Sequence, residues 1–539
     1  MMRKLWGILV AFGVSIVIAE HEDRHFWQAS MKDEIWKTIT ARRNCAKAKN
    51  IVVFIGDGMG IPVITAARIL KGQKAGKTGE ETFLNFEKFP YTGLMRTYCT
   101  DKQVPDSACT GTALFSGIKA PYYTLGVDVH AKYGECKETM KYKSYFPESI
   151  MTYAQAAEKL TGFVTTSRVT HATPAATYAH SPHREWECDG KLPPEATECK
   201  DIARQMIEDA PARDFHVIMG GGRQFFFPNE TYNQNRSETQ CQRRDGRKLV
   251  ETWMNDKKSR NATYKYVTTT SELQDAMRNK PDYLLGLFSS SHMSYEIERN
   301  TSPNGEPSLA DMTESAINIL ENDKGFLLMV EGAKIDHALH DNNARRSLED
   351  LLAFEEAVER ALKKTSQLDT LIIVTADHSH TLTINGYPAR GNPILGIAEN
   401  QTDFGLPYTT LMFTNGVGYN YTNNGTHILW RNLTNVDTQA LDFRQQAAIY
   451  RENGDETHGG EDVAAYAIGP WAHLITGAHE QPYVAHVAKY AACLGDYAEM
   501  CQSSMRKTSC GIEVSSANTG GIHAFFITTM FLTSYILQL

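Results

Sequence analysis

Short, continuous apolar runs recur along this chain, and most are followed by stretches of helical period. Ile51 to Ile55, Phe163 to Thr166, Phe215 to Met219, Leu284 to Phe288, Phe326 to Val330 and Thr370 to Thr375 are rich in β-branched and aromatic residues and read as buried strands. Between many of them lie amphipathic helix patterns: Pro62 to Lys71, Ile150 to Leu160, Lys200 to Asp209, Leu309 to Glu321 and Asn343 to Thr365. A further helix is expected over Glu20 to Ala48, with Phe26, Trp27, Ile35 and Trp36 as its apolar side. Apolar strands alternating with helices predict an α/β protein: a three-layer α/β/α sandwich around a large, mostly parallel central sheet. The region from Gly386 to Glu456 breaks the pattern. It is rich in Gly, Asn, Thr and Tyr and reads as an irregular surface insertion.

The two ends differ from the rest. Arg3 and Lys4 precede the apolar stretch Leu5 to Ile18, and Val17-Ile18-Ala19 suits cleavage, so residues 1–19 read as a secretory signal peptide. Ala524 to Leu539 is apolar, ends at the last residue and follows the small residues Ser515, Ser516, Ala517, Asn518, Gly520 and Gly521. That pattern predicts glycosylphosphatidylinositol (GPI) attachment at Ser515 or Ser516 and removal of residues 516–539, leaving a mature domain over 20–515. Sequons at Asn229, Asn235, Asn261, Asn300, Asn400, Asn420, Asn424 and Asn432 fit an exported glycoprotein. Export permits the 10 cysteines to pair. Cys493 and Cys501 are close enough for a local loop, whereas Cys109, two residues from Ser107, is expected to be a buried free thiol. The net charge of −8 and the absence of Lys/Arg blocks exclude an evident nucleic-acid surface.

Candidate chemistry collects at strand ends. Asp57 follows the first run within Gly56-Asp57-Gly58-Met59-Gly60, Glu331 follows Phe326–Val330, and Asp377-His378 follows Thr370–Thr375. In open α/β sheets, sites form beyond the carboxyl ends of strands, where distant residues converge. Asp336 and His340 are spaced i, i+4, which on a helix puts both on one face, with His337 turned elsewhere. His458 precedes Gly459-Gly460. Carboxylates and imidazoles are ligands for hard and borderline metals. Each cluster alone is equally compatible with a turn, a solvated strand end or a surface contact. Ser107, in Pro105-Asp106-Ser107-Ala108, adds a hydroxyl that needs a base or a metal before it can act as a nucleophile.

Together these stretches carry a resemblance. Gly56-Asp57-Gly58-Met59-Gly60, Pro105-Asp106-Ser107-Ala108, Thr170-His171-Ala172-Thr173-Pro174-Ala175, Val330-Glu331-Gly332 with Asp336 and His340, Thr375-Ala376-Asp377-His378-Ser379-His380 and Glu456-Thr457-His458-Gly459-Gly460-Glu461-Asp462-Val463 occur in the order found in alkaline phosphatases. The chain resembles the animal, membrane-anchored branch of that family from about Asn50 to Cys501. The resemblance implies hydrolysis of phosphate monoesters through a phosphoserine at Ser107, with two zinc ions and one magnesium per subunit. It assigns Asp336, His340 and His458 to one zinc, Asp57, Asp377 and His378 to the other, and Asp57, Thr173 and Glu331 to magnesium, with His171 nearby. Arg184 matches the arginine that grips the substrate phosphate. Cys136 with Cys199, and Cys493 with Cys501, match the family's disulfides. The resemblance also implies a homodimer, with residues 386–456 as a crown at its interface, on the outer face of the cell membrane.

Two departures stand out. Relatives with a calcium site carry Glu after Leu-Phe, but Ser289 follows Leu287-Phe288 here, and Glu306 replaces an Asp; both argue against calcium. Asp455 replaces a Glu near the site mouth. Two other readings are a superfamily phosphodiesterase and a catalytically silent surface glycoprotein that binds a partner. The extra ligands Thr173 and Glu331 disfavour the first, and retention of Ser107 and every ligand disfavours the second.

Overall fold

The apolar runs line up as the centre of one sheet. The computed structural model describes residues 23–228, 241, 243–399, 402, 404–451 and 454–501. The proposed signal peptide, Ser515, Ser516, the C-terminal apolar stretch, Asn229, Asn235 and Asn400 lie outside the described residues. The ten-stranded sheet contains β1 (Asn50–Gly56), β2 (Tyr91–Arg96), β3 (Leu160–Arg168), β4 (Val217–Gly221), β5 (Tyr264–Val267), β6 (Tyr283–Leu287), β7 (Phe326–Gly332), β8 (Thr370–Ala376), β9 (Val463–Ile468) and β10 (Gly477–Glu480). Their spatial order is β10-β2-β9-β8-β1-β7-β3-β4-β6-β5. Only β9 runs against its neighbours; the remaining pairings are parallel.

The central strands are buried on both faces, which explains why they appear as unbroken apolar runs. The helices Leu309–Leu320 and Ala344–Lys364 pack together against β1, β3 and β7, and the helices Ile150–Ala156 and Tyr483–Ala492 contact the same strands as a separate group. The result is the three-layer α/β/α architecture. Phe54 on β1 meets Phe354 of the long helix edge to face, with ring centroids 5.8 Å apart.

The structure departs from the sequence expectation in four places. The helix from Ile150 stops at Ala156, and Leu160 opens β3 instead, because Glu158 adopts φ 59°, a left-handed value that ends the helix. The N-terminal helix covers Arg24–Thr40 and buries none of its residues, so Trp27 and Trp36 are exposed rather than packed. The strands β2, β5 and β10 lack a continuous apolar run, β2 alternating buried and exposed residues, and β9, Val463–Ile468, is apolar but rich in Ala rather than in β-branched residues. Finally, the 386–456 region is not wholly irregular, since Leu411–Asn415 and Ala447–Ile449 form a small sheet with Leu382–Ile384.

Strand register sets the functional edge. Gly56 of β1 pairs with Gly332 of β7 and with Ala376 of β8. The next residues, Asp57 and Asp377, therefore leave the sheet at the same level, and Glu331 pairs with Ile55 and with Thr165 of β3 just inside it.

Candidate active site

Ser107 is the first residue of the helix Ser107–Ser116 and is almost fully buried. Asp106 caps that helix, accepting hydrogen bonds from the backbone N–H of Ala108 at 3.1 Å and of Cys109 at 3.4 Å. The helix N-terminus directs partial positive charge at the hydroxyl, which favours a phosphate there. Ser107 Oγ lies 3.1 Å from His378 Nε2.

Around this hydroxyl the carboxylates and imidazoles form two groups that meet where His378 stacks on His458, ring centroids 3.6 Å apart. In one, His378 Nε2 is 3.1 Å from Asp377 Oδ2 and 3.5 Å from Asp57 Oδ1. In the other, His458 Nε2 is 3.1 Å from His340 Nε2 and 3.4 Å from Asp336 Oδ1. The helix Lys334–His340 does place Asp336 and His340 on one face, with His340 Nε2 3.5 Å from Asp336 Oδ2. His337 points away from that pair, yet it still lines the cavity and meets His171 edge to face. Gly58 closes the turn after Asp57 at φ 68°, and a Cβ there would come 2.7 Å from His380 Nε2, so only glycine suits the position.

The donor chemistry fits metal ions. Both carboxylate oxygens of Asp57, Thr173 Oγ1, Glu331 Oε1 and His171 Nδ1 are buried without a hydrogen-bond partner. Burying so many unpaired acceptors is costly unless a cation satisfies them. Glu331 Oε2 is held separately, by the hydroxyls of Thr165 and of Ser167, the latter at 3.1 Å. In the metal-free protein, burial pushes the Glu331 carboxyl up to about 7, and burial with neighbouring carboxylates raises Asp57 and Asp377. Burial also lowers His378 and His171, keeping both imidazoles neutral and able to act as ligands.

Arg184 reaches into the same cavity. Its Nη1 donates to Asp106 Oδ2 at 3.0 Å, and its Nη2 lies 3.0 Å from His171 Nε2. Burial opposes the guanidinium charge, but Asp106 outweighs that effect and holds Arg184 firmly protonated. A cavity of 620 Å³ opens over Ser107, lined by Arg184, Asp336, His340 and His458 among others.

Several supporting residues went unassigned in the sequence. His380 Nε2 bonds Asp336 Oδ1 at 2.6 Å, and its Nδ1 bonds the buried Glu456 carboxylate. Its place two residues after His378, on the same side of an extended segment, was the available signal. Although burial disfavours its charge, Glu456 and Asp336 raise His380 to about 10. Asp106 carries no signal of its own beyond its place in Pro105-Asp106-Ser107-Ala108. Gln481, which donates to the Asp377 carbonyl at 2.6 Å, carries no local signal.

The cysteines also required correction. Cys109 is not a free thiol: it pairs with Cys99, their Cα atoms 5.8 Å apart. The structure joins Cys136 to Cys199, Cys493 to Cys501 and Cys188 to Cys241, and Cys45 is disulfide-bonded as well. The described sequon residues Asn261, Asn300, Asn420, Asn424 and Asn432 are all exposed.

A three-layer α/β/α protein with a buried serine at a helix N-terminus, an arginine beside it and clustered metal-type ligands defines a hydrolase of phosphate esters. The family model for alkaline phosphatase matches residues 48–494. The chain belongs to the alkaline phosphatase family, and its enzyme class is phosphate monoester hydrolase. It is 42% identical over 500 residues to the tissue-nonspecific alkaline phosphatase of Gallus gallus, covering 91% of this chain and 94% of that one. Against an alkaline phosphatase of Gadus morhua the identity is 43% over 478 residues, covering 87% and 96%. The solved alkaline phosphatase of Thermus thermophilus superposes with a TM-score of 0.58 at 23% identity, covering 87% of this chain and 97% of that one, and supports the fold alone.

Proposed function

We propose that this enzyme hydrolyses phosphate monoesters through a covalent phosphoserine at Ser107, with two zinc ions and one magnesium per subunit. The observation that carries the reading is the set of buried, unpartnered oxygens on Asp57, Thr173 and Glu331 at the sheet edge that also presents Ser107. Asp336, His340 and His458 would hold one zinc, Asp57, Asp377 and His378 the other, and Asp57, Thr173 and Glu331 the magnesium, beside His171. When bound, such ions supply Lewis acidity, lowering the pKa of a hydroxyl or water and offsetting charge on the phosphate and leaving oxygen.

The chain's own residues do the rest. Ser107 Oγ releases its proton to solvent and bonds to phosphorus as the bond to the ester oxygen breaks, and the leaving alkoxide takes a proton from solvent to depart as the alcohol. Arg184 holds two phosphate oxygens in its planar fork, and Asp106 keeps that fork beside Ser107. Water then displaces Ser107 from phosphorus and releases inorganic phosphate. Grip on the phosphate alone leaves the alcohol portion loosely specified.

The setting belongs to the same reading: a homodimer on the outer face of the cell membrane, GPI-anchored, with residues 386–456 at the dimer interface and no calcium ion. The terminal apolar stretches and exposed sequons support it. Release from cells by a phosphatidylinositol-specific phospholipase C tests the anchor.

The activity is tested by hydrolysis of phenyl phosphate by purified protein from pH 7 to 11, before and after chelation and resupply of zinc and magnesium. The reading expects activity that rises into alkaline pH, is lost on chelation and returns with the two metals. A folded, metal-replete protein without turnover contradicts it.

A further inference from the structure

The cavity over Ser107 brings more than one cationic side chain within reach of a substrate, alongside the carboxylates of Asp106, Asp336, Asp455 and Glu456. Besides Arg184, it is lined by Lys102 and Arg451. Arg184 is positioned by Asp106 and assigned above to the transferred phosphate. Arg451, by contrast, has its Nε buried without a hydrogen-bond partner, and among the described residues neither Arg451 nor Lys102 makes an ion pair. Asp455 lines the same cavity four residues further on, yet the two are not paired. A buried, unsatisfied guanidinium N–H is costly, so a site that retains one has a use for the donor.

Glu456 and Thr457, on the wall of the same cavity, are fixed to the scaffold. Glu456 N–H donates to the His340 carbonyl at 2.9 Å, and Thr457 exchanges hydrogen bonds with Asn415, both at 2.9 Å. Lys102 enters from the loop that the Cys99–Cys109 disulfide closes. The two cations thus come from separate parts of the chain onto one cavity.

We propose that Arg451 and Lys102 form a second-anion subsite, which selects phosphate monoesters whose alcohol portion carries another negative group, a carboxylate or a further phosphate. This rests on the monoesterase reading above. The planar fork of Arg451 suits either anion, and Lys102 adds a point charge. Asp455 opposes the subsite and limits its strength.

The test compares carboxyphenyl phosphate with carbamoylphenyl phosphate, esters of similar size that differ by one remote charge. Wild-type enzyme should favour the carboxylate in kcat/KM by about fivefold, the scale of one partly exposed ion pair, and salt should shrink that preference. A bisphosphorylated aryl ester, compared with its singly phosphorylated counterpart, separates phosphate from carboxylate as the preferred group. In the double variant Lys102→Gln/Arg451→Gln the ratio should fall to about one, and in Asp455→Asn it should rise. A wild-type ratio at or below one for both anions, or a ratio unchanged in the double variant, overturns the subsite. Failure to hydrolyse the carbamoyl ester at all counts against the monoesterase reading instead.

Discussion

Asp106 Oδ2 accepts a hydrogen bond from Arg184 Nη1 at 3.0 Å, so the residue immediately before Ser107 also anchors the arginine of the cavity. The other oxygen of the same carboxylate takes the Tyr123 backbone N–H at 2.9 Å, and the group caps the helix that Ser107 begins. One carboxylate thereby joins Ser107, Arg184 and one cavity wall. Asp106→Ala should weaken competitive inhibition by inorganic phosphate and raise KM for phenyl phosphate, each by about tenfold, the scale of one charge-assisted bond. Loss of the cap should cost about 1 kcal/mol of stability. Inhibition constants and thermal unfolding check the two effects separately. Unchanged phosphate affinity would detach Asp106 from substrate binding.

The disulfide between Cys99 and Cys109 ties the cavity loop to the first turn of the helix that Ser107 begins. Replacing both cysteines by Ala should lower stability by about 2–4 kcal/mol through the freed loop. Because Pro105 and Asp106 lie within that loop, KM should rise as well. Denaturant unfolding and steady-state kinetics measure both. A variant with native stability and KM would show that the brace is dispensable.

Legibility in the sequence followed burial. Strands buried on both faces, such as Ile51–Ile55 within β1, announced themselves as apolar runs, and topology alone put the candidate ligands at their ends on one edge. The alternating β2 and the Ala-rich β9 were not seen, because their stability comes from neighbours rather than composition. Asp336 and His340 were legible through helical spacing. The Cys99–Cys109 pair was not, since only the folded loop brings those sulfurs together. Gln481 reaches the Asp377 carbonyl from more than a hundred residues away, a contact no local pattern encodes.

Removal of metals should make stability fall with rising pH. In the metal-free protein, burial raises Glu331 to about 7 from its ordinary 4.5, and Asp57 and Asp377 shift the same way. Within that window the folded state holds a proton that the unfolded chain releases. The associated stability is present at low pH and is lost as pH rises through about 7. Chelated protein should therefore melt at lower temperature at pH 8 than at pH 5, and Glu331→Gln should flatten the slope. Thermal scans across this range check it; a melting temperature that climbs with pH would contradict the carboxylate cluster as the cause.

Ser107 should become phosphorylated during turnover. Rapid mixing of enzyme with a phosphate-labelled aryl ester, acid quench and peptide mapping tests it directly. The account predicts label on the peptide containing Ser107, absent in Ser107→Ala. Turnover by wild-type enzyme with no labelled peptide, or with label on another residue, would contradict it.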